Sequence, residues 1–183
     1  MGGVGKPPYI SVVGGSSATP EEAVLAEQLG EALLSLGAIL ICGGGGGVMY
    51  HVAKGAQKGK EHGGGLVLGI LSGTDRQEAN PYIDVVIPTG MGEMRNALIA
   101  QTGDVMIAIG GGAGTLSEMA LAWYWQKPIG VLGTSGWAGR LAGTPIDKRR
   151  TDSILSFTDP QKAASWAVQM GKQKGKETPA LLE

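Results

Sequence analysis

The sequence predicts an α/β fold: a single-domain, Rossmann-like, doubly wound parallel sheet with helices on both faces, in three layers. Two observations support this prediction. Short apolar runs alternate with helical patterns along most of the chain, which favours right-handed crossovers between parallel strands. Several of the runs, such as residues 105–109, are apolar at every position, as in strands that are covered on both faces.

Each predicted strand is a short apolar segment bounded by turn residues. The predicted strands are residues 9–13, 38–42, 66–71, 85–87, 105–109, 128–132 and 154–157. The first helix begins after Thr19, because Pro20 suits the first helical position and Glu22 completes a capping box, and it ends before Gly37. The other predicted helices are residues 48–59, 94–102, 115–126 and 160–170.

Length and composition indicate one cytoplasmic domain. The 183 residues suit a domain at residues 9–170, with flexible segments at 1–8 and 171–183. A net charge of −1 disfavours a nucleic-acid or membrane surface, because either would need a basic patch. Neither a signal peptide nor an apolar stretch of about 20 residues is visible. Cys42 is the single cysteine and lies in an apolar run, as expected in a reducing compartment.

Three glycine-rich turns, at residues 14–17, 43–47 and 110–114, each follow a predicted strand. The carboxyl ends of parallel strands meet at one edge of the sheet, where ligands bind. Glycine permits close backbone approach and a helix start offers free N–H groups, so together they favour a bound phosphate group. None of the turns matches GxGxxG or GxxxxGK[ST], which disfavours a nicotinamide dehydrogenase and a P-loop ATPase.

Thr115 and Glu118 have two interpretations. Thr-x-x-Glu is a helix-capping pattern, and spacing alone favours that structural role. The functional interpretation gains support from the glycines before Thr115 and from Arg95, which opens the preceding predicted helix. The strand between them returns the chain to the same edge, so an arginine and a glutamate would flank one pocket.

The residues of these turns resemble the Lonely Guy family, whose members were long mislabelled lysine decarboxylases. Residues 110–118, GGGAGTLSE, resemble the family's PGGxGTxxE signature. Arg95 stands 23 residues before Glu118 (118 − 95), which is the offset of the family's motif arginine. Residues 43–49 resemble its GGGxxGLM segment and residues 14–17 its first GSS loop, so the resemblance covers residues 9–132.

Two departures from the family pattern leave the function open. Gly110 stands where the family has proline, and Met94-Arg95-Asn96 keeps only the arginine of its His-Glu-Arg-Lys string. These variants resemble a sister branch that is also similar to the molybdenum cofactor carrier proteins. The resemblance implies a nucleotide or phosphorylated ligand. It leaves a nucleoside 5′-monophosphate phosphoribohydrolase, a non-catalytic carrier of a phosphorylated cofactor such as a pterin, and a nucleotide sensor.

The resemblance also implies the site residues. Glu118 would stabilise the positive charge that develops on the ribose or activate water, and Arg95 would orient it. We expect no required cofactor; the expected occupant is an AMP-like nucleotide, phosphate or sulfate. The implied ligand-binding residues are Gly14, Gly15, Ser16, Gly44, Gly45, Met49, Met94, Gly111, Gly112, Ala113, Gly114 and Thr115.

Two other kinds of site are disfavoured by residue placement. His51, His62 and Cys42 lack compact ligand spacing, so we expect no metal site. A pyridoxal-phosphate decarboxylase needs a buried lysine, whereas residues 54–60 place three lysines in a polar helical stretch.

Three adjacent aromatic residues, Trp123, Tyr124 and Trp125, end the predicted helix at 115–126 and cannot all face the core. We expect one tryptophan inside and at least one of the three against solvent or another subunit. Because family members associate, the resemblance implies a homodimer or larger homo-oligomer through this helix. The loop at residues 133–150 either covers the pocket or is a solvated excursion.

Overall fold

The computed structural model describes residues 6–174, which form a sheet of seven parallel strands covered by helices on both faces. The strands are β1 (Tyr9–Gly14), β2 (Ile39–Cys42), β3 (Val67–Leu71), β4 (Val85–Pro88), β5 (Val105–Ile109), β6 (Ile129–Leu132) and β7 (Leu155–Phe157). The helices are α1 (Pro20–Ser35), α2 (Val48–Gly63), α3 (Asn96–Thr102), α4 (Ala113–Tyr124), α5 (Gly136–Leu141) and α6 (Pro160–Lys174). The predicted fold class is therefore confirmed.

The strand order explains where a ligand site can form. It is β4-β3-β2-β1-β5-β6-β7, with β1 paired to β2 on one side and to β5 on the other. Ile10 at the centre of the sheet lies opposite both Leu40 and Val105. The chain thus builds outward from β1 to β4 and then crosses back to β5. That reversal opens a crevice beyond the carboxyl ends of β1 and β5.

The core lies in two layers, one on each face of the sheet. Helices α1, α2 and α6 bury apolar side chains such as Leu29, Val52 and Val168 against one face. Helices α3, α4 and α5 bury Ile99, Met119 and other side chains against the opposite face. Because both faces are covered, β5 is buried at all five positions, as its continuous apolar run predicts.

Helices α1 and α2 touch backbone to backbone along a line of glycines. A Cβ added at Gly55 would lie 1.9 Å from the carbonyl oxygen of Glu27, and one at Gly30 would lie 2.0 Å from that of Val52. Gly59 meets the carbonyl of Glu31 in the same way, at 2.2 Å. Part of the high glycine content therefore serves helix packing rather than turns.

Element ends differ from the sequence prediction in several places. The capping box at Thr19 is confirmed, since its hydroxyl accepts from the Glu22 N–H at 3.2 Å and the Glu22 carboxylate accepts from the Thr19 N–H at 2.9 Å. Helix α2 continues to Gly63, because Gly59 packs within it instead of ending it. Residues 171–174, predicted as a flexible segment, belong to α6, whereas residues 1–5 and 175–183 lie outside the described residues. No helix within residues 6–174 is long and apolar enough to cross a bilayer.

The three adjacent aromatic residues separate as expected. Trp123 is buried and its indole N–H donates to Asp147 Oδ1 at 2.9 Å, whereas Tyr124 is 61% exposed. The Arg150 guanidinium lies 4.3 Å from the centre of the Trp123 ring. The segment after α5 thus folds across the end of α4. The homo-oligomer predicted for this helix stays a prediction.

Candidate functional site

A cavity of about 1080 Å³ opens beyond the carboxyl ends of β1 and β5, at the point where the strand order reverses. It lies between the loop after β1, the segment before α3 and the first turns of α4. Its lining residues are Val12, Val13, Gly14, Gly15, Ser16, Ser17, Glu22, Gly43, Met49, Glu93, Met94, Arg95, Asn96, Ala97, Gly111, Gly112, Ala113, Gly114, Thr115, Ser117, Glu118 and Leu121. The volume is sufficient for a small organic ligand.

The turn between β5 and α4 presents a helix start to this cavity. Gly110 and Gly111 have φ angles of +56° and +83°, which L side chains rarely adopt. Their carbonyl oxygens accept from the N–H groups of Ala138 (3.1 Å) and Trp137 (3.0 Å) in α5. No side chain in the described part of the chain caps the start of α4, so its first N–H groups are available to an anion in the cavity.

The capping interpretation of Thr115 and Glu118 is wrong. Helix α4 begins at Ala113, two residues earlier than predicted, and Gly112 is its N-cap residue. Gly111 and Gly112 are the last residues of the turn after β5. The residues that follow them are already helical. Thr115 and Glu118 therefore lie inside the helix, 3% and 6% exposed, and three residues apart they face the same cavity.

Glu118 is a buried carboxyl group, and no residue within 6–174 donates a hydrogen bond to it. Burial raises its pKa to about 8, against the lowering effect of the nearby Arg95 charge; the Glu93 carboxylate raises it further. In the free protein most Glu118 side chains are therefore protonated at neutral pH. Catalytic carboxyls commonly have such an environment.

Arg95 occupies the opposite wall, at the end of a short 3-10 turn before α3. Its Nη1 donates to the carbonyl oxygen of Ile70 at 2.9 Å, while its buried Nε has no hydrogen-bond partner among residues 6–174. The guanidinium lies over Gly43, where an added Cβ would be 2.0 Å from Nη1. Glycine at position 43 therefore makes room for the arginine. Arg95 acts on Glu118 through its charge rather than through an ion pair within 4.0 Å among the described residues.

Asn96 and Ser117 line the cavity but were missed from the sequence. Asn96 is 5% exposed, and its Nδ2 donates to Ser117 Oγ at 3.0 Å. Ser117 in turn donates to the carbonyl oxygen of Gly114 at 2.7 Å. Their positions in the sequence could have identified them, because Asn96 follows Arg95 and Ser117 precedes Glu118 within the signature.

Glu22 lines the cavity as well, in addition to its role in the capping box. Its Oε1 accepts from the Ser135 hydroxyl at 2.5 Å, which ties the start of α1 to the segment before α5. A Cβ added at Gly110 would lie 2.0 Å from that Oε1. Proline requires a φ near −65°, whereas Gly110 has a φ of +56°. The proline of the Lonely Guy signature PGGxGTxxE is therefore incompatible with the backbone conformation at position 110.

Most predicted site residues lie around this cavity. Gly44 and Gly45 are outside its lining, because their carbonyl oxygens turn to Asn80 Nδ2 at 3.1 and 2.9 Å. Gly43 lines the cavity in their place. His51 also lies outside it, with Nδ1 2.8 Å from Glu27 Oε1. The predicted residues that do line it are Gly14, Gly15, Ser16, Met49, Met94, Arg95, Gly111, Gly112, Ala113, Gly114, Thr115 and Glu118.

Comparison with known proteins identifies the family. Residues 7–164 match the model of the SLOG cluster4 family. The chain belongs to the SLOG cluster4 family. It shares 42% identity over 113 residues with an uncharacterised protein of Archaeoglobus fulgidus, covering 62% of this chain and 72% of that protein.

The SLOG cluster4 chain is also similar to plant phosphoribohydrolases. It is 33% identical to the cytokinin riboside 5′-monophosphate phosphoribohydrolase LOG7 of Arabidopsis thaliana, over 80% of this chain and 70% of that protein. It is 31% identical to a probable enzyme of the same name from Oryza sativa, LOGL5. That match covers 74% of this chain but only 52% of the rice protein, so the chain spans about half of its length.

Solved structures confirm the fold and the second resemblance. The molybdenum cofactor binding protein of Rippkaea orientalis superposes with a TM-score of 0.77 at 34% identity, over 88% of this chain and 95% of that one. The molybdenum cofactor carrier protein of Chlamydomonas reinhardtii gives 0.77 at 32% identity, over 90% and 98%. DNA processing protein A of Streptococcus pneumoniae, at 17% identity and a TM-score of 0.64, shares the fold alone.

Proposed function

We propose that this SLOG cluster4 protein is a nucleoside 5′-monophosphate phosphoribohydrolase. The observation that carries the proposal is Glu118, a buried carboxyl without a hydrogen-bonding neighbour in residues 6–174, whose pKa is raised to about 8. It lies one helical turn from Thr115, beside an uncapped helix start suited to a phosphate. The similarity to enzymes named for this reaction supports the same assignment.

The phosphate would be bound chiefly by backbone groups. Within residues 6–174 the lining contains neither lysine nor histidine, and Arg95 is its single basic residue. The first N–H groups of α4, the Thr115 hydroxyl and the positive end of the helix dipole would therefore hold the 5′-phosphate. The Arg95 charge would add attraction from the facing wall, and the ribose would then lie between Arg95 and Glu118.

In the reaction the bond between C1′ and the base nitrogen breaks, and its electron pair leaves with the base. Positive charge builds on the ribose ring, where the carboxylate form of Glu118, which is the minor form at neutral pH and becomes more abundant as the pH approaches 8, stabilises it. Glu118 accepts a proton from the attacking water, whose oxygen bonds to C1′, and that proton then passes to the departing base. The products are ribose 5-phosphate and the free base.

A turnover assay with AMP and N6-substituted analogues tests the proposal by following free base. We expect base release in the wild type and a loss of about 100-fold or more in Glu118→Gln, because general acid–base groups contribute roughly that much. Nucleotide binding, measured by calorimetry, should persist in the variant. Glu21→Gln, at an exposed position of α1, is the matched control and should turn over normally. Normal turnover by Glu118→Gln contradicts the proposal.

A second function is favoured by the structural comparisons. The chain covers 95% and 98% of the molybdenum cofactor binding and carrier proteins at 34% and 32% identity, more than it covers of the plant enzymes. A non-catalytic carrier of a phosphorylated cofactor would use the same phosphate turn. Tight binding of a phosphorylated ligand without base release from any nucleotide would favour the carrier.

A further inference from the structure

We infer that Asn96 determines ligand specificity by accepting a hydrogen bond from a ribose hydroxyl of the bound nucleotide. The inference rests on the proposed function, since it needs a nucleotide in the cavity. Asn96 is 5% exposed and lines the cavity between Arg95 and the first turn of α4. A buried amide requires partners for both its donor and its acceptor.

The hydrogen bonds around Asn96 fix which way its amide points. The Ser117 hydroxyl has one proton, which goes to the carbonyl oxygen of Gly114 at 2.7 Å. Ser117 Oγ must therefore accept from Asn96, and the atom 3.0 Å away is the amide nitrogen. The carbonyl oxygen Oδ1 of Asn96 has no donor among the described residues and is left as an acceptor toward the cavity.

The position of Asn96 in the cavity determines which part of the ligand it can contact. Its Nδ2 lies 3.8 Å from the position of a Cβ at Gly114, next to the proposed phosphate site. A phosphate dianion has no proton to donate, so it cannot satisfy Oδ1. The ribose is the part of a nucleoside 5′-monophosphate nearest its phosphate, and its 2′ and 3′ hydroxyls are donors. Asn96 therefore suits a sugar hydroxyl.

The charged groups near Asn96 are Glu93 and Arg95. Glu93 Oε2 lies 4.0 Å from the Cβ position of Gly114 and is a second acceptor on the same wall, while Arg95 is the single cation in the cavity lining within residues 6–174. The Lonely Guy string has lysine where Asn96 stands, which would donate rather than accept. The Asn96 amide is thus an uncharged acceptor on this wall, and it distinguishes a hydroxyl from a bare methylene.

Calorimetric binding of AMP, 2′-deoxy-AMP and 3′-deoxy-AMP tests the inference. We expect the wild type to bind AMP about 3- to 10-fold more tightly than at least one deoxy analogue, the effect of one neutral hydrogen bond. Asn96→Ala should remove that difference while its affinity for inorganic phosphate stays unchanged. Ser117→Ala, which frees the amide to rotate, should reduce the difference. Gln101→Ala removes an exposed amide from the same helix and should preserve it.

The outcomes separate this inference from the proposed function. Equal binding of the three nucleotides by the wild type overturns the inference and leaves the proposed function standing; because this needs no variant, it holds even if Asn96→Ala fails to fold. Discrimination that survives in Asn96→Ala also overturns it. Binding of none of the nucleotides overturns the proposed function and the inference with it.

Discussion

Glu22 and Ser135, 113 residues apart in the chain, share a 2.5 Å hydrogen bond that encloses the glycine turn after β5. Ser135 belongs to the segment that leads into α5, whose N–H groups also bind the carbonyl oxygens of Gly110 and Gly111. The glycine turn after β5 is thus held from α1 on one side and from α5 on the other. Its conformation depends on contacts that are distant in sequence.

Ser135→Ala should weaken both the fold and phosphate binding. A hydrogen bond to a carboxylate contributes about 1.5–3 kcal/mol, so we expect a loss of that order in the free energy of unfolding, measured by urea titration. Inorganic phosphate should bind more weakly, because the turn loses one of its two supports. Thr134→Ala, at the exposed neighbouring position, is the control. Unchanged stability and phosphate affinity in Ser135→Ala would show that the Glu22 contact does not hold the turn.

Gly110→Ala should be destabilising, whereas Gly112→Ala should fold with near wild-type stability. Gly110 has a φ of +56° and no room for a Cβ beside Glu22. Gly112 has a φ of −107°, and an added Cβ there would meet no other atom of residues 6–174 within 4 Å. We expect a cost of about 1–3 kcal/mol at position 110, from the left-handed conformation and the displacement of Glu22. Thermal unfolding of the two variants provides the comparison. Equal melting temperatures of the two variants would contradict the left-handed backbone conformation of Gly110 and its close contact with Glu22.

The pKa of Glu118 predicts a pH dependence of stability. In the unfolded chain the group titrates near 4.5, and in the folded protein near 8, so the folded state binds more protons between these values. The contribution of Glu118 to the free energy of unfolding is therefore fully present below pH 4.5. It falls as the pH rises and is lost above about pH 8. The slope is at most about 1.4 kcal/mol per pH unit. Urea titrations at pH 5.5 and 8.5 should show a smaller decrease for Glu118→Gln than for the wild type; identical decreases would contradict the raised pKa.

Gly55→Ala should separate helices α1 and α2. The added Cβ would lie 1.9 Å from the carbonyl oxygen of Glu27, and backbone cannot move aside as a side chain can. We expect a loss of about 1–3 kcal/mol in the free energy of unfolding, even though alanine is the better helix former. Lys58→Ala, at an exposed position of the same helix, should change stability by less than about 0.5 kcal/mol. Comparable stability of the two variants would contradict the close helix contact.

The sequence predicted the strands well because their signal is local. Each strand of a sheet covered on both faces is a continuous apolar run, and the segment 105–109 coincides with β5 as observed. The start of α4 was misplaced because Gly111 and Gly112 form the bend while Ala113 and Gly114, which look like part of the same turn, are already helical. Glycine residues alone do not show where a turn ends and the following helix begins.

The roles of Glu22 and Asn96 were not predictable from local pattern. Glu22 satisfies a capping box, which gives a sufficient structural reason for its presence, and its contact with Ser135 arises only through the tertiary fold. The proposed role of Asn96 depends on its hydrogen bond to Ser117, 21 residues later. The pairing of Arg95 with Glu118 could be proposed from family spacing, but the raised pKa of Glu118 depends on burial, which the sequence does not report.

Because Gly110 is crowded against Glu22, the residues that are tolerated at positions 22 and 110 depend on each other. A proline at 110 would need a negative φ and the space that Glu22 Oε1 fills, so that replacement alone would damage the turn. Substitutions at positions 22, 110 and 135 should be strongly non-additive. Relatives that carry proline at 110 are therefore expected to differ at 22 and 135 as well, which makes covariation of these three positions a marker for dividing the wider family.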